Sequence, residues 1–273
     1  MDDCDITIEN CTVGENALSA AFVENIAQQL KIAGRVQRDF LPANLPDNEK
    51  LKWDTLFLPA EYVSGDIYDV ARIDEEHIGF YIADVVGHGI PAALLTIFVK
   101  QALAMRETFG NSYQIFSPGQ VMEKLNRRII EQKLSDHQFI TCCYCLLNTK
   151  RMHLTYARAG HPYPLIVHSN GTIDTLDAKG ALLGVFEKAE FQQATVQLRE
   201  GDKVIIYSDG TEPYIGDFED EKGFVFGDFF RSIAQLPVSD FTCQLKEAIL
   251  KEAEGKKQFD DITTVGLEVL NAS

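Results

Sequence analysis

Four times along the chain, an aspartate with a glycine or a second aspartate close by stands at the end of a short apolar run. The four stretches are Ser64-Gly65-Asp66, Asp84-Val85-Val86-Gly87-His88-Gly89, Ser208-Asp209-Gly210 and Asp260-Asp261-Ile262-Thr263. Residues 80–83 lead into Asp84, 204–207 lead into Asp209, and 262–267 follow Asp260-Asp261. Such runs read as β-strands, which bury apolar side chains in a sheet while their end residues gather on one rim. The glycines permit tight turns and close backbone approach. Carboxylate and carbonyl oxygens are the ligands that hard divalent cations prefer. Two such ions about 3.5–4 Å apart can share one carboxylate, activate a water and stabilise a phosphoryl transition state. A lone Asp-Gly is only a common turn. Four in this strand context are far more specific.

The rest of the chain divides around this pattern. Leu18, Phe22, Ile26, Leu30, Ala33, Val36 and Phe40 recur at steps of three and four, the stripe of an amphipathic helix. Prolines at 42 and 46 end it. The stripe has two readings: packing on its own domain, or pairing with a second copy. We therefore expect a tail and linker or dimerisation helix over 1–46 and one domain over 47–273. Strands are expected at 51–58, 66–73, 78–84, 138–147, 152–159, 163–168, 172–176, 191–198, 202–207 and 262–269. Helices are expected at 91–107, 118–133, 226–235 and 240–254. The acidic stretch 211–226 reads as a solvated loop. Runs of strands interrupted by paired helices indicate an α+β fold.

Composition narrows the function classes. With 25 Lys+Arg against 41 Asp+Glu, the formal charge is −16, a field that repels nucleic acid and anionic membrane. No run of about 18 apolar residues is present, and the acidic N-terminus lacks the pattern of a signal peptide. Cys142, Cys143 and Cys145 lie inside an apolar run, too close together for a disulfide framework. They are expected to be reduced and buried in a cytoplasmic protein.

The order of these stretches resembles a known family, the sporulation-protein-E-type, sigma-factor-regulating branch of the PPM (protein phosphatase 2C-like) phosphatases. The matching segments are Val36-Gln37, Leu41-Pro42, Leu45-Pro46, Gly65-Asp66-Ile67-Tyr68-Asp69-Val70 and Asp84 through Leu94. Further matches are Ala159-Gly160-His161-Pro162, Leu183-Gly184-Val185, Tyr207 through Glu212 and Asp260-Asp261-Ile262-Thr263. The resemblance implies a four-layer α-β-β-α sandwich of two antiparallel sheets flanked by helices, with two Mn²⁺ or Mg²⁺ ions at one edge. It implies hydrolysis of phosphoserine or phosphothreonine by metal-activated water. It also implies that Asp84 bridges the ions, with the Val85 carbonyl as an added ligand. Asp66 serves one ion, and Asp209 and Asp260 the other. Asp261, Gly65, His88 and Asp69 are supporting positions, Asp69 as a structural residue. The implied substrate is a phosphorylated protein, such as an anti-sigma-factor antagonist, with regulation or homodimerisation through the N-terminal helix. Pro213 departs from the small residue often found there.

Rival readings remain. His88 is either a general acid or a residue that steadies its turn, and His161 reads as a structural contact. Five residues separate Cys145 from Arg151, the bare spacing of cysteine phosphatases. Leucines occupy the place of a phosphate-cradling loop, so a buried core residue is favoured. A noncatalytic or partner-activated signalling module on the same fold is the alternative function. The complete set of aspartates argues against it.

Overall fold

The computed structural model describes residues 9–134, 138–219, 223–253 and 260–270. Strands β1 (Leu51–Leu58), β14 (Ile262–Val269), β11 (Lys203–Tyr207), β8 (Leu165–Val167) and β9 (Ile173–Thr175) form one sheet in that order. Strands β10 (Gln193–Gln197), β7 (His153–Ala159), β6 (Ile140–Asn148), β3 (His77–Val85) and β2 (Asp66–Arg72) form the second. Every pairing within the two sheets is antiparallel.

Strand β6 shows why the layers stack as they do. Cys143, Cys145 and Leu147 point into the core between the sheets, beside Trp53, Phe80 and Val204. Ile140, Cys142 and Tyr144 point the other way, into a core shared with helices α2 (Ile90–Ala102) and α3 (Pro118–Glu131). Alternate side chains leave opposite faces of a strand, so a sheet covered on both sides needs an apolar run without polar alternation. The cysteines belong to that run. Across the sandwich, Phe230 of α5 (Asp228–Ile233) and Phe241, Leu245 and Ile249 of α6 (Val238–Ala253) cover the outer face of the first sheet. The result is the four-layer α-β-β-α arrangement that the family resemblance implies.

Helix α1 spans Glu9–Asp39. Its exposed apolar residues include Phe22, Val23, Ile26 and Val36, whereas Gln37 near its end is buried against the domain.

Two expectations are corrected. The helix placed at 91–107 stops at Ala102, and Arg106–Phe109 and Ser112–Ile115 form a hairpin, β4–β5. Gly110-Asn111 supplies its turn. The Arg106 guanidinium donates to the Ile73 carbonyl at 2.6 Å, tying the hairpin base to the domain. The acidic stretch 211–226 is not a plain loop. It holds α4 (Glu212–Ile215) and the hairpin of β12 (Gly216–Glu219) with β13 (Gly223–Phe226). Phe224 and Phe226 alternate on β13, and Phe226 packs on Phe230 at 5.6 Å between ring centroids. That apolar anchor offsets the acidic composition.

Candidate metal centre

Asp66 opens β2 and Asp84 stands one residue before the end of β3, directly opposite it in the ladder. Both share the strand face that bears Tyr68, Phe80 and Ile82, turned toward the first sheet. Facing carboxylates on a ladder are unfavourable unless a proton or cation intervenes.

The first sheet brings the other aspartates. Asp209 follows β11 and Asp260-Asp261 precede β14, its neighbour. The Ser208 N–H donates to the Thr263 carbonyl at 2.9 Å, and the Thr263 N–H donates to Ser208 Oγ at 2.9 Å. A Cβ at Gly210 would fall 2.1 Å from the Asp261 carbonyl oxygen, so glycine lets one loop rest on the other. Thr263 Oγ1 donates to Asp66 Oδ2 at 2.6 Å, joining the two sheets at the rim.

These carboxylates feel one another. Burial, then the charges of Asp209, Asp260 and Asp261, push Asp84 up to about 7. Burial and the Asp84 charge hold Asp66 well above the ordinary carboxylate range, against the lowering effect of the Thr263 and Ser208 hydroxyls. Asp209 is raised by burial and by Asp260. Their shared repulsion is what a divalent cation relieves.

The donor set therefore fits hard cations by chemistry. Among the described residues, no three acidic, histidine or cysteine side chains already stand at the spacing of a closed cage. Backbone oxygen is at hand as well. A Cβ at Gly65 would meet the Val85 carbonyl oxygen at 3.1 Å and that of Gly87 at 3.2 Å, and glycine keeps this space clear.

Other candidate residues sit apart. Asp69 lies on the opposite face of β2 and pairs with Lys100 Nζ of α2 at 2.9 Å, a structural contact. His88 is exposed in the turn between β3 and α2, so it is open to solvent beside the rim. His161 is buried, its Nδ1 2.8 Å from Thr141 Oγ1, and its carbonyl accepts a hydrogen bond from Arg158. Burial and then the Arg158 charge push this imidazole down to about 3, so it stays neutral. Burial raises the Cys145 thiol well above its ordinary range, which removes it as a nucleophile near neutral pH.

The sequence reading passed over Gln37, Ser208 and Thr263 as site residues. Gln37 Nε2 donates to the Ser64 carbonyl at 2.7 Å and to Thr96 Oγ1 at 2.9 Å, and its Oε1 accepts the Ser64 N–H at 2.9 Å. All three stand within the quoted motifs. A polar residue on an otherwise apolar helix stripe or strand was the available signal.

The family model described as Stage II sporulation protein E (SpoIIE) matches residues 74–270. The chain is 34% identical over 203 residues to phosphoserine phosphatase RsbU of Bacillus subtilis, covering 74% of this chain and 57% of that protein. It thus spans little more than half the length of this curated relative. Among solved structures, the SiaA-PP2C domain of Pseudomonas aeruginosa superposes with a TM-score of 0.73 at 21% identity, over 91% of this chain and 99% of that one. RsbX in complex with magnesium superposes with a TM-score of 0.59 at 17% identity, over 83% and 98% of the two chains. These two likenesses establish the protein phosphatase 2C-like fold. The family match, which spans more than half of the chain, shows that it belongs to the Stage II sporulation protein E (SpoIIE) family.

Proposed function

We propose that this chain is a metal-dependent protein phosphatase acting on phosphoserine or phosphothreonine. The observation that supports the reading is that Asp66, Asp84, Asp209 and Asp260, each near a strand end of one of two sheets, act on one another's ionisation. Family membership and the name of the RsbU relative support it. Asp66, Asp84, Asp209, Asp260 and the Val85 carbonyl are the groups that would hold two divalent cations, Mn²⁺ or Mg²⁺. The magnesium in RsbX, which shares the fold, supports a divalent cation.

When bound, such cations lower the pKa of a water and neutralise phosphate charge. The chain's own part is positional. Thr263 and Ser208 orient Asp66, and the loops around Gly65 and Gly210 hold the rim together. Asp84, raised to about 7, must give up its proton before it can serve a cation. His88, exposed in the turn after β3, is the candidate general acid toward a leaving alkoxide, with steadying of that turn as its alternative role. No phosphoenzyme is required.

The substrate is a phosphorylated protein in bacterial signalling, of the anti-sigma-factor antagonist type, and the compartment is the cytoplasm. None of the described helices is long and apolar enough to cross a membrane. The exposed apolar residues of α1 support a homodimer formed through that helix. Light scattering after removal of residues 1–40 tests this, and an unchanged number of chains per particle would end it.

The test of activity is phosphate release from a phosphoserine peptide with Mn²⁺, Mg²⁺ or EDTA, for wild type and Asp84→Asn. Metal-dependent turnover that disappears in Asp84→Asn is expected. A folded protein inactive with every metal would favour the noncatalytic or partner-activated module. Turnover surviving both EDTA and the substitution would remove the metal mechanism.

A further inference from the structure

A cleft of about 1190 Å³ opens beside Asp209 and Asp260 and runs between the β12–β13 hairpin, α5 and α6. Beyond those two aspartates its walls carry Glu212, Asp217, Asp228 and Glu252. No lysine, arginine or histidine stands among the described lining residues. Between the acids lies ring surface from Tyr214, Phe224, Phe226 and Phe229, the last 40% exposed. Burial, then the Glu252 charge, raises the Tyr214 phenol, so one acid stands close to one ring. Arg231 is committed to Phe226, its Nε donating to the Phe226 carbonyl at 3.1 Å.

Acids interleaved with aromatic faces are complementary to one kind of polypeptide. A lysine or arginine gains from the carboxylates and from the faces of the rings, while an apolar neighbour covers the remaining ring surface. A phosphoprotein also faces a problem that this chemistry solves. Its phosphate is repelled by a chain of formal charge −16, and basic residues on the same segment reverse that repulsion locally.

We propose that the cleft is a docking groove for the substrate polypeptide, taking a segment that carries lysine or arginine together with an aromatic or aliphatic side chain near the phosphorylated residue. The inference rests on the phosphatase reading for its role, since one end of the cleft is the aspartate rim.

Binding in EDTA tests it apart from catalysis. The probes are fluorescein-labelled, unphosphorylated peptides of one length, bearing Lys and Phe, Ala and Phe, or Glu and Phe, followed by anisotropy. The Lys peptide is expected to bind at least about tenfold more tightly than the Ala peptide, the size of one or two partly screened charge contacts. Asp228→Lys with Glu252→Lys is expected to abolish that preference. Glu123→Lys with Glu131→Lys, on exposed sites of α3 in the opposite outer layer, makes the same change in net charge and is expected to keep it. Loss in both pairs of substitutions would assign the attraction to diffuse charge and overturn the groove. Equal binding of the three peptides to wild type would overturn it as well. Preserved, groove-dependent preference in a protein that releases no phosphate with any metal would overturn the phosphatase reading and leave the groove standing.

Discussion

Asp261 Oδ2 accepts the Gly65 N–H at 2.7 Å across 196 positions of sequence, and its Oδ1 accepts the Ala60 N–H at 2.7 Å. Burial raises this carboxyl, and the two N–H donors offset part of that rise. With both oxygens engaged by the loop that leads into Asp66, Asp261 is suited to anchoring the site more than to ligation. Asp261→Ala strands two N–H groups, at about 1–3 kcal/mol for each buried unpaired group. Urea unfolding in EDTA is expected to show a loss of about 2–5 kcal/mol. Asp261→Asn keeps one acceptor oxygen and is expected to lose roughly half as much. Equal losses would mean that charge, not acceptor geometry, does the anchoring.

Gln37 makes the corresponding tie from the N-terminal helix. Its carboxamide joins the Ser64 backbone to Thr96 of α2, and so links α1 to the segment that carries Asp66. Gln37→Leu keeps the bulk and removes all three hydrogen bonds. A thermal melt is expected to record a loss of about 2–3 kcal/mol, because buried Ser64 groups lose their partner. The end of α1 should also become the first site cut by a nonspecific protease. A melt indistinguishable from wild type would show that α1 is not docked by this residue.

Asp84 gives the metal-free protein a stability that depends on pH. Its ordinary value of 3.8 rises to about 7 on folding, so the native state holds a proton that the unfolded chain releases. The contribution is fully present below about pH 4 and is lost as pH rises through about 7, on the order of a few kcal/mol. In EDTA at pH 8, Asp84→Asn removes a repelled charge and is expected to melt several degrees higher than wild type. Added Mn²⁺ should then raise the wild-type midpoint far more than that of the variant. A variant that gains as much from Mn²⁺ as wild type would take Asp84 out of the metal site.

Much of this architecture was legible because period and chemistry agreed. The doubly apolar runs of β6 and β3 and the glycines beside the aspartates each point to sheet strands with a common rim. On β2 itself, Asp69 and Asp66 part company because residues three apart on a strand face opposite ways. The failures came where a local signal was outweighed. The apolar run after α2 continued in composition past Ala102, but Gly110-Asn111 turned the chain back as a hairpin. In 211–226 the acids masked Phe224 and Phe226, whose alternation was the evidence for β13. The engagement of both Asp261 oxygens was not readable, because Ala60 is an ordinary backbone donor far away in sequence.

His168 supplies a pH effect remote from the aspartate rim. Its Nδ1 lies 3.0 Å from Asp202 Oδ1, and its Nε2 lies 3.0 Å from Asp174 Oδ2. Burial pulls the imidazole down, but the hydrogen bonds and charges of Asp174 and Asp202 outweigh it, leaving the group above its ordinary 6.5. A raised histidine adds stability below its unfolded value, and that stability is lost as pH rises through the folded one. Asp174 is largely exposed, so screening limits the contribution to about 0.5–1 kcal/mol. The stability gap between wild type and His168→Gln is therefore expected to be widest near about pH 6 and to shrink toward about pH 8. Urea midpoints measured across that range decide the matter. A gap that stays constant would mean that the neutral ring's hydrogen bonds, and not the imidazolium charge between two carboxylates, stabilise this corner.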